Sequence, residues 1–501
     1  MFFPVRFPFS KIIILSGLLP MLLSCSSNEK KGERLANTYC SSCHIFPEPG
    51  LLTKKIWETS VLPRMGVQLG LNTFDYQMDV HVNDLTTFIK TLPAAPVISK
   101  TEWEHIVQYY KKNAPDSLAI PEPATVSELT QFDVSSFRFN QREQPMITLL
   151  YTDTVHQQLY VGTREAWLYK LDTKFTVKDS MYVRSAPSHL RISENGKAEV
   201  LLMGIMDPND QPKGSLVNLD FESEEPFVLL DSIKRPVHYE KKDLNDDGLE
   251  DYIICAFGNY TGALLIYENQ GEGKFKRIIL NAQPGTRNVI VRDFTHDGKP
   301  DILALISQAD EKVMLFTNEG DFKFKPFTLV RFPSVYGSSF LDVTDFNKDG
   351  HFDFVYTNGD NADFSIIPKP YHGVRIFMND GINQFKETWF YPMHGASEVK
   401  ARDFDGDGDL DLAAISFFPD FNHQPNSFLY FENNGNGFDV QTTPLSQSGR
   451  WLRMEAADID QDGDQDLLLG ALNFQPLVPN ALFTSWKQSG SAILILRNKL
   501  K

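Results

Sequence analysis

Asp403-Phe-Asp-Gly-Asp-Gly-Asp-Leu-Asp411 is one copy of a pattern that occurs five times. The others are Asp243-Leu-Asn-Asp-Asp-Gly-Leu-Glu-Asp251, Asp293-Phe-Thr-His-Asp-Gly-Lys-Pro-Asp301, Asp345-Phe-Asn-Lys-Asp-Gly-His-Phe-Asp353 and Asp458-Ile-Asp-Gln-Asp-Gly-Asp-Gln-Asp466. Their first aspartates are 50, 52, 58 and 55 residues apart. A fixed period of this size is the signature of a repeat architecture. Apolar β-type residues follow each copy, so the loop joins two strands. Asn269, Asn318, Asn379 and Asn433, each with a glycine two residues on, end later apolar runs in the first four repeats. Asn and Gly there suit a tight hairpin with positive φ.

Oxygens at alternate loop positions converge on one hard cation, and the glycine permits the sharp turn. The expected calcium ligands are Asp243, Asn245, Asp247 and Asp251; Asp293, Thr295, Asp297 and Asp301; Asp345, Asn347, Asp349 and Asp353. The two fullest sets are Asp403, Asp405, Asp407 and Asp411, and Asp458, Asp460, Asp462 and Asp466. Thr295 is the weakest third ligand. An EF-hand would need a glutamate at position twelve and flanking helices, and neither is present.

The repeats resemble FG-GAP/VCBS repeats, the blades of integrin-type β-propellers. The resemblance implies four strands per blade and structural calcium clamping the strand junctions. Two degenerate blades upstream, 146–172 and 186–230, with the five clear ones give a seven-bladed propeller over 145–501. The final strand, 492–497, is expected to close the last blade.

Cys40-Ser41-Ser42-Cys43-His44 is a C-x-x-C-H motif, the attachment site of a c-type haem. Two thiols three residues apart each form a thioether to the porphyrin, and His44 supplies an axial nitrogen. A redox dithiol or half a zinc site is the competing reading, but no further close-spaced zinc ligands follow. Residues 32–114 read as helical and resemble a small cytochrome c domain. Helices are expected at 32–43, 54–61, 83–91 and from Thr101 to 112. Met65, taken to lie in a loop, is the chosen sixth ligand. Met78 is its rival, and His81 or His105 would make a bis-His site.

Residues 1–24 read as an export signal, with Arg6 and Lys11 before an apolar run too short to span a bilayer. Leu22-Leu23-Ser24-Cys25 resembles the lipobox of bacterial lipoproteins. It implies lipidation of Cys25, a tether over 25–31 and a membrane attachment through lipid alone. That places the protein in a bacterial cell envelope, outer-membrane anchored, on a periplasmic or surface face. Cys255 is left for a buried apolar role, and no disulfide is expected. Residues 115–144, which open on a proline-rich stretch, are expected to link the domains.

The chain is 501 residues long with a formal net charge of −17, which repels nucleic acid. His238, Arg287, Asn288, Glu398 and Arg453 precede the Asp loops by five or six positions and are candidate channel residues on the propeller axis. The same residues also suit solvated strand positions. No Ser-His-Asp order, phosphate loop or paired-acid motif is readable. The expected whole is a small all-α cytochrome domain followed by an all-β propeller. Its expected role is to carry electrons to a redox partner protein through one covalent haem c, with Ca2+ in the propeller. The alternative is an oxidoreductase, by analogy with quinohaemoprotein dehydrogenases, whose propeller holds the substrate. An adhesin-like module ranks last because the haem motif is intact.

Overall fold

The computed structural model describes residues 20–71, 84–121, 125–140, 144–193, 196–222, 225–360, 365, 367–421, 427–475 and 477–500. Seven four-stranded antiparallel blades form a β-propeller, one of them extended by a fifth strand. Blades one and two run from Ile147–Asp153 to Val177–Tyr182 and from Pro187–Ile192 to Phe227–Ile233. Blades three, four and five begin at Pro236–Lys242, Thr286–Arg292 and Ser338–Thr344, and blades six and seven at Ala396–Arg402 and Trp451–Ala457. The strands follow one another outward from the first in each blade.

The second strands explain the packing. Asp251–Ala256, Asp301–Ile306, Asp353–Asn358, Asp411–Ser416 and Asp466–Ala471 are buried at every residue. Each lies between two neighbouring blades, so both of its faces must be apolar, and continuous runs such as Leu467-Leu468-Leu469 result. Cys255 sits in one of them, wholly buried, its thiol pushed up by burial. Among the described residues Cys40, Cys43 and Cys255 form no disulfide.

The ring closes with strands from both ends of the chain. The third strand of blade seven, Ile493–Asn498, pairs with Phe132–Phe137, which becomes that blade's outer strand. Ser127–Glu128 adds in parallel to the outer strand of blade six. The expected linker, 115–144, therefore holds propeller strands. Composition showed its prolines, but not a partner more than three hundred residues away.

The N-terminal region is a small helical unit. Helix Pro20–Tyr39 runs through the stretch expected as a tether and past the expected start at residue 32. It crosses helix Lys100–Asn113 at Gly32, where a Cβ would lie 2.4 Å from the His105 carbonyl oxygen. That second helix opens two residues before the expected cap. Ser99 Oγ accepts from the Glu102 amide, and the Glu102 carboxylate accepts from the Ser99 amide. Residues 54–68 are helical throughout, so Met65 lies inside helix Leu62–Gln68 and not in a loop. Helix Leu85–Thr91 completes the unit. Met78 and His81 lie outside the described residues, as does most of the expected signal. No helix among the described residues is long and apolar enough to cross a membrane.

Strand direction places this unit. Connections between first and second strands share one end of the propeller with those between third and fourth strands. The helical unit touches the other end. Tyr371 Oη donates to the Leu51 carbonyl at 3.1 Å, and Val335 packs into the helical core. The Asp210 amide donates to Asp84 at 3.1 Å, and Phe88 meets Tyr260 at 4.8 Å between ring centres.

Candidate functional site

All five Asp loops join a first strand to a second strand. Their fourth residues, Asp246, His296, Lys348, Gly406 and Gln461, have φ between 58° and 76°. The sixth residue is glycine in every copy, with φ from 83° at Gly248 to 102° at Gly463. A side chain is strained there, which is why only glycine appears. The first aspartate turns the loop by accepting backbone amides. Asp243 Oδ1 takes those of Asn245, Asp246 and Asp247, and its Oδ2 takes that of Gly248 at 2.8 Å.

The ninth aspartate staples the loop to the rest of its blade. Asp251, Asp301, Asp353, Asp411 and Asp466 are at most 1% exposed. One oxygen of each accepts the amide of the second loop residue. The other accepts the amide of the asparagine ending the third strand, at 2.7–2.8 Å. In blade seven that asparagine is Asn498, a fifth marker missed in sequence. An insertion holding helix Asn480–Ser489 displaces it, and no glycine follows two residues on. Asp411 Oδ2 also accepts the Tyr430 hydroxyl, and Asp301 Oδ2 the Thr295 amide and hydroxyl, so in those two loops only Oδ1 keeps a lone pair for a cation.

The acids converge most closely in blades six and seven. Asp403, Asp405 and Asp407 bring carboxylate oxygens within 4.8 Å of one another, and so do Asp458, Asp460 and Asp462. Burial pushes the Asp411 carboxyl up to about 6, against the pull of the Asn433 amide and the Tyr430 hydroxyl. Burial and the carboxylates of Asp462 and Asp466 push Asp464 up to about 7. In the other loops Asn245 and Asn347 donate to Asp247 and Asp349, and Thr295 Oγ1 donates to Asp301 at 3.0 Å.

The C-x-x-C-H segment follows helix Pro20–Tyr39. Cys43 is exposed, while Cys40 is half-buried with its thiol pushed up to about 11 by burial. His44 is 8% exposed, and its Nδ1 lies 2.8 Å from the Ile45 carbonyl oxygen. A carbonyl only accepts, so this contact puts the proton on Nδ1 and leaves the Nε2 lone pair for a metal. Met65 packs on the same apolar cluster as Cys40. His105 is half-buried on helix Lys100–Asn113.

At the propeller axis, His238, Asn288, Glu398 and Arg453 are each the third residue of a first strand, as is His189 of blade two. The His189 and His238 rings meet at 4.3 Å. Glu398, 2% exposed, faces Lys400 Nζ at 3.2 Å and Arg453 at 3.8 Å. Its Oε2 accepts the Met454 amide. Burial, with Arg191, Arg453 and Lys400, pushes His238 down to about 3, so it is neutral. Arg191 and Glu240 pair one step further along. Arg287 does not join this ring. Every first strand has a register shift between its first and third residues, and Arg287 is the residue skipped. A bulge re-aims its side chain, and Arg287 pairs with Asp360 instead.

The family described as FG-GAP-like repeat matches residues 243–304, 293–356 and 403–469. These spans cover the Asp loops of blades three to seven, so the chain carries FG-GAP repeats. No curated protein matches the chain. Three solved structures give the scale of likeness elsewhere. The WD40 domain of Neurospora crassa Pan2 is 10% identical with a TM-score of 0.44, covering 76% of this chain and 98% of that one. The N-terminal domain of Nup159 is 11% identical at 0.42, covering 76% and 99%. The WD40 β-propeller domain of Doa1 is 10% identical at 0.45, covering 74% and 98%.

Proposed function

We propose that this FG-GAP-repeat propeller is the docking module of a lipid-anchored envelope electron carrier, whose redox group is one haem c on Cys40, Cys43 and His44. The observation that carries the reading is the state of His44. It is buried beside two cysteines at thioether spacing, and its Nδ1 is engaged, which leaves the Nε2 lone pair available as a ligand. When bound, haem supplies one-electron chemistry. The chain's own part is to hold His44 in one tautomer through the Ile45 carbonyl and to keep water from it. Met65, on the same cluster as Cys40, is the proposed second axial ligand.

The helical unit docks through Tyr371, Val335, Asp210 and Tyr260 on the propeller end opposite the Asp loops. Calcium in those loops, the Asp-rich pair of blades six and seven above all, would thus act on the fold and not on the haem. Cys25 is the proposed lipid attachment point, and a redox protein the proposed partner. The axial ring of His238, Asn288, Glu398 and Arg453 favours a second reading, in which a small polar substrate binds in the propeller and reduces the haem.

A difference spectrum of the mature protein, reduced minus oxidised, separates the two. It is repeated with sugars, alcohols and aldehydes as the only reductants. A carrier gives a c-type spectrum that none of these compounds produces. Reduction by one class makes the protein an oxidoreductase. Absence of any c-type spectrum contradicts both.

A further inference from the structure

Pro47 and Pro49 follow the C-x-x-C-H motif closely, and neither has a backbone N–H. The segment from Ile45 to Leu51 is therefore short of amides with which to tie itself down, and its prolines stiffen it. Its carbonyls are held by side chains instead. Four alternate carbonyls each meet one ring donor. The Ile45 carbonyl faces His44 Nδ1 at 2.8 Å, and that of Pro47 accepts the Tyr110 hydroxyl at 2.7 Å. The Pro49 carbonyl accepts the Trp57 indole N–H at 2.8 Å, and that of Leu51 accepts the Tyr371 hydroxyl at 3.1 Å. The first three donors belong to the helical unit, where the Trp57 and Tyr110 rings lie 4.4 Å apart in the core. The fourth belongs to the propeller.

Blade five fixes Tyr371 from several sides. The Tyr371 carbonyl accepts the Asn358 side-chain amide at 3.0 Å and the Arg375 guanidinium at 2.9 Å. Asn358 ends strand Asp353–Asn358, and Arg375 lies in strand Gly373–Asn379 of the same blade. The buried Tyr371 ring stacks on Tyr336, with centres 5.0 Å apart and planes 11° from parallel. Its hydroxyl is thus presented to the helical unit by a rigid sheet.

We infer that Tyr371 of the propeller is a positioning residue for His44, holding the far end of a carbonyl ladder whose near end sets the His44 ring. This inference rests on Cys40, Cys43 and His44 carrying haem c. The Ile45 carbonyl keeps the proton on His44 Nδ1 and fixes the ring's rotation. Such a hydrogen bond also raises the basicity of the ligating nitrogen. A stiff segment passes a displacement at Leu51 on to Ile45 instead of absorbing it. The propeller therefore contributes a residue to the setting of the haem ligand, besides docking the helical unit.

The test follows the His44 Nδ1 proton by NMR in the reduced full-length protein with haem bound. Tyr371→Phe removes only the hydroxyl and should speed solvent exchange of that proton roughly fivefold, the weight of one net hydrogen bond. Tyr110→Phe, two rungs nearer, should speed it at least as much. Phe88→Ala loosens the helical unit at its other contact, with Tyr260, and should leave the proton unchanged. The ladder is also tested without haem, in the Cys40→Ala, Cys43→Ala double variant. There Tyr371→Phe should speed exchange of the Leu51 amide, which donates to the Glu48 carbonyl at 3.0 Å. An unchanged His44 proton in Tyr371→Phe overturns the positioning role and leaves the haem reading standing, as does equal acceleration by Phe88→Ala. An unchanged Leu51 amide overturns the ladder itself. A wild type that takes up no haem overturns the haem reading, and the positioning role with it.

Discussion

The Asn498 amide hydrogen-bonds Asp466 Oδ1 at 2.8 Å, and four other asparagines bond the ninth aspartates of their own blades in the same way. This contact ties each loop to its hairpin, and in blade seven it also ties the C-terminal strand to the ring. The ninth aspartate thus has a structural duty whatever the loop binds.

Asp353→Ala tests that duty. It leaves the amides of Phe346 and Asn379 buried without acceptors. The expected cost is roughly 2–4 kcal/mol, from one to two unmade buried hydrogen bonds. Urea unfolding with calcium chelated measures it. A loss well under about 1 kcal/mol would show that the loop is held by other contacts.

Glu311 gives a pH prediction. It is fully buried, accepts from the Gly337 and Ser338 amides and the Ser338 hydroxyl, and burial pushes it up to about 7. A carboxyl raised in the folded state favours folding while it is protonated. That contribution is complete below its unfolded value near 4.5 and is lost as pH rises through about 7. Stability relative to Glu311→Gln should therefore fall by about 3 kcal/mol across this window. Parallel stability curves for the two proteins would refute it.

Glu398 tests the axial ring. Glu398→Ala leaves Lys400 and Arg453 without their shared carboxylate in a buried setting. Breaking a fully buried pair from one side costs on the order of 3–5 kcal/mol, and the half-buried Lys400 and Arg453, which also face Glu455, should show a smaller loss. Thermal or denaturant unfolding reads the loss. A neutral result would show that solvent or Glu455 serves these charges instead of Glu398.

Chelation should lower the melting temperature of the propeller, because a ligand bound only by the folded state stabilises it by mass action. At calcium a hundredfold above its dissociation constant the contribution is about 2.7 kcal/mol per site. An unchanged melting temperature would mean that the loops are empty.

Met65→Ala should remove the weak long-wavelength band of a ferric His/Met haem. Persistence of that band would assign the ligand to Met78.

The periodic Asp loops made the propeller legible, because nine residues with a fixed glycine carry both a turn and a period. Blade count followed from adding the two degenerate upstream blades, 146–172 and 186–230, to the five that carry an Asp loop. Pairing at distance was not legible. Nothing in Phe132–Phe137 names Ile493–Asn498 as its partner, since alternation reports faces and not neighbours. Asn498 escaped for the same reason, behind the inserted helix Asn480–Ser489. Arg287 and Asn288 are adjacent and both polar, and only the bulge decides which one meets the axis.

The most direct test of the account is the intact mass and denaturing-gel haem stain of the chain made in a host that matures c-type cytochromes. The account predicts a mass gain of one haem on the peptide holding Cys40, Cys43 and His44, lost in the Cys40→Ala, Cys43→Ala double variant. A folded protein with unmodified Cys40 and Cys43 would contradict it.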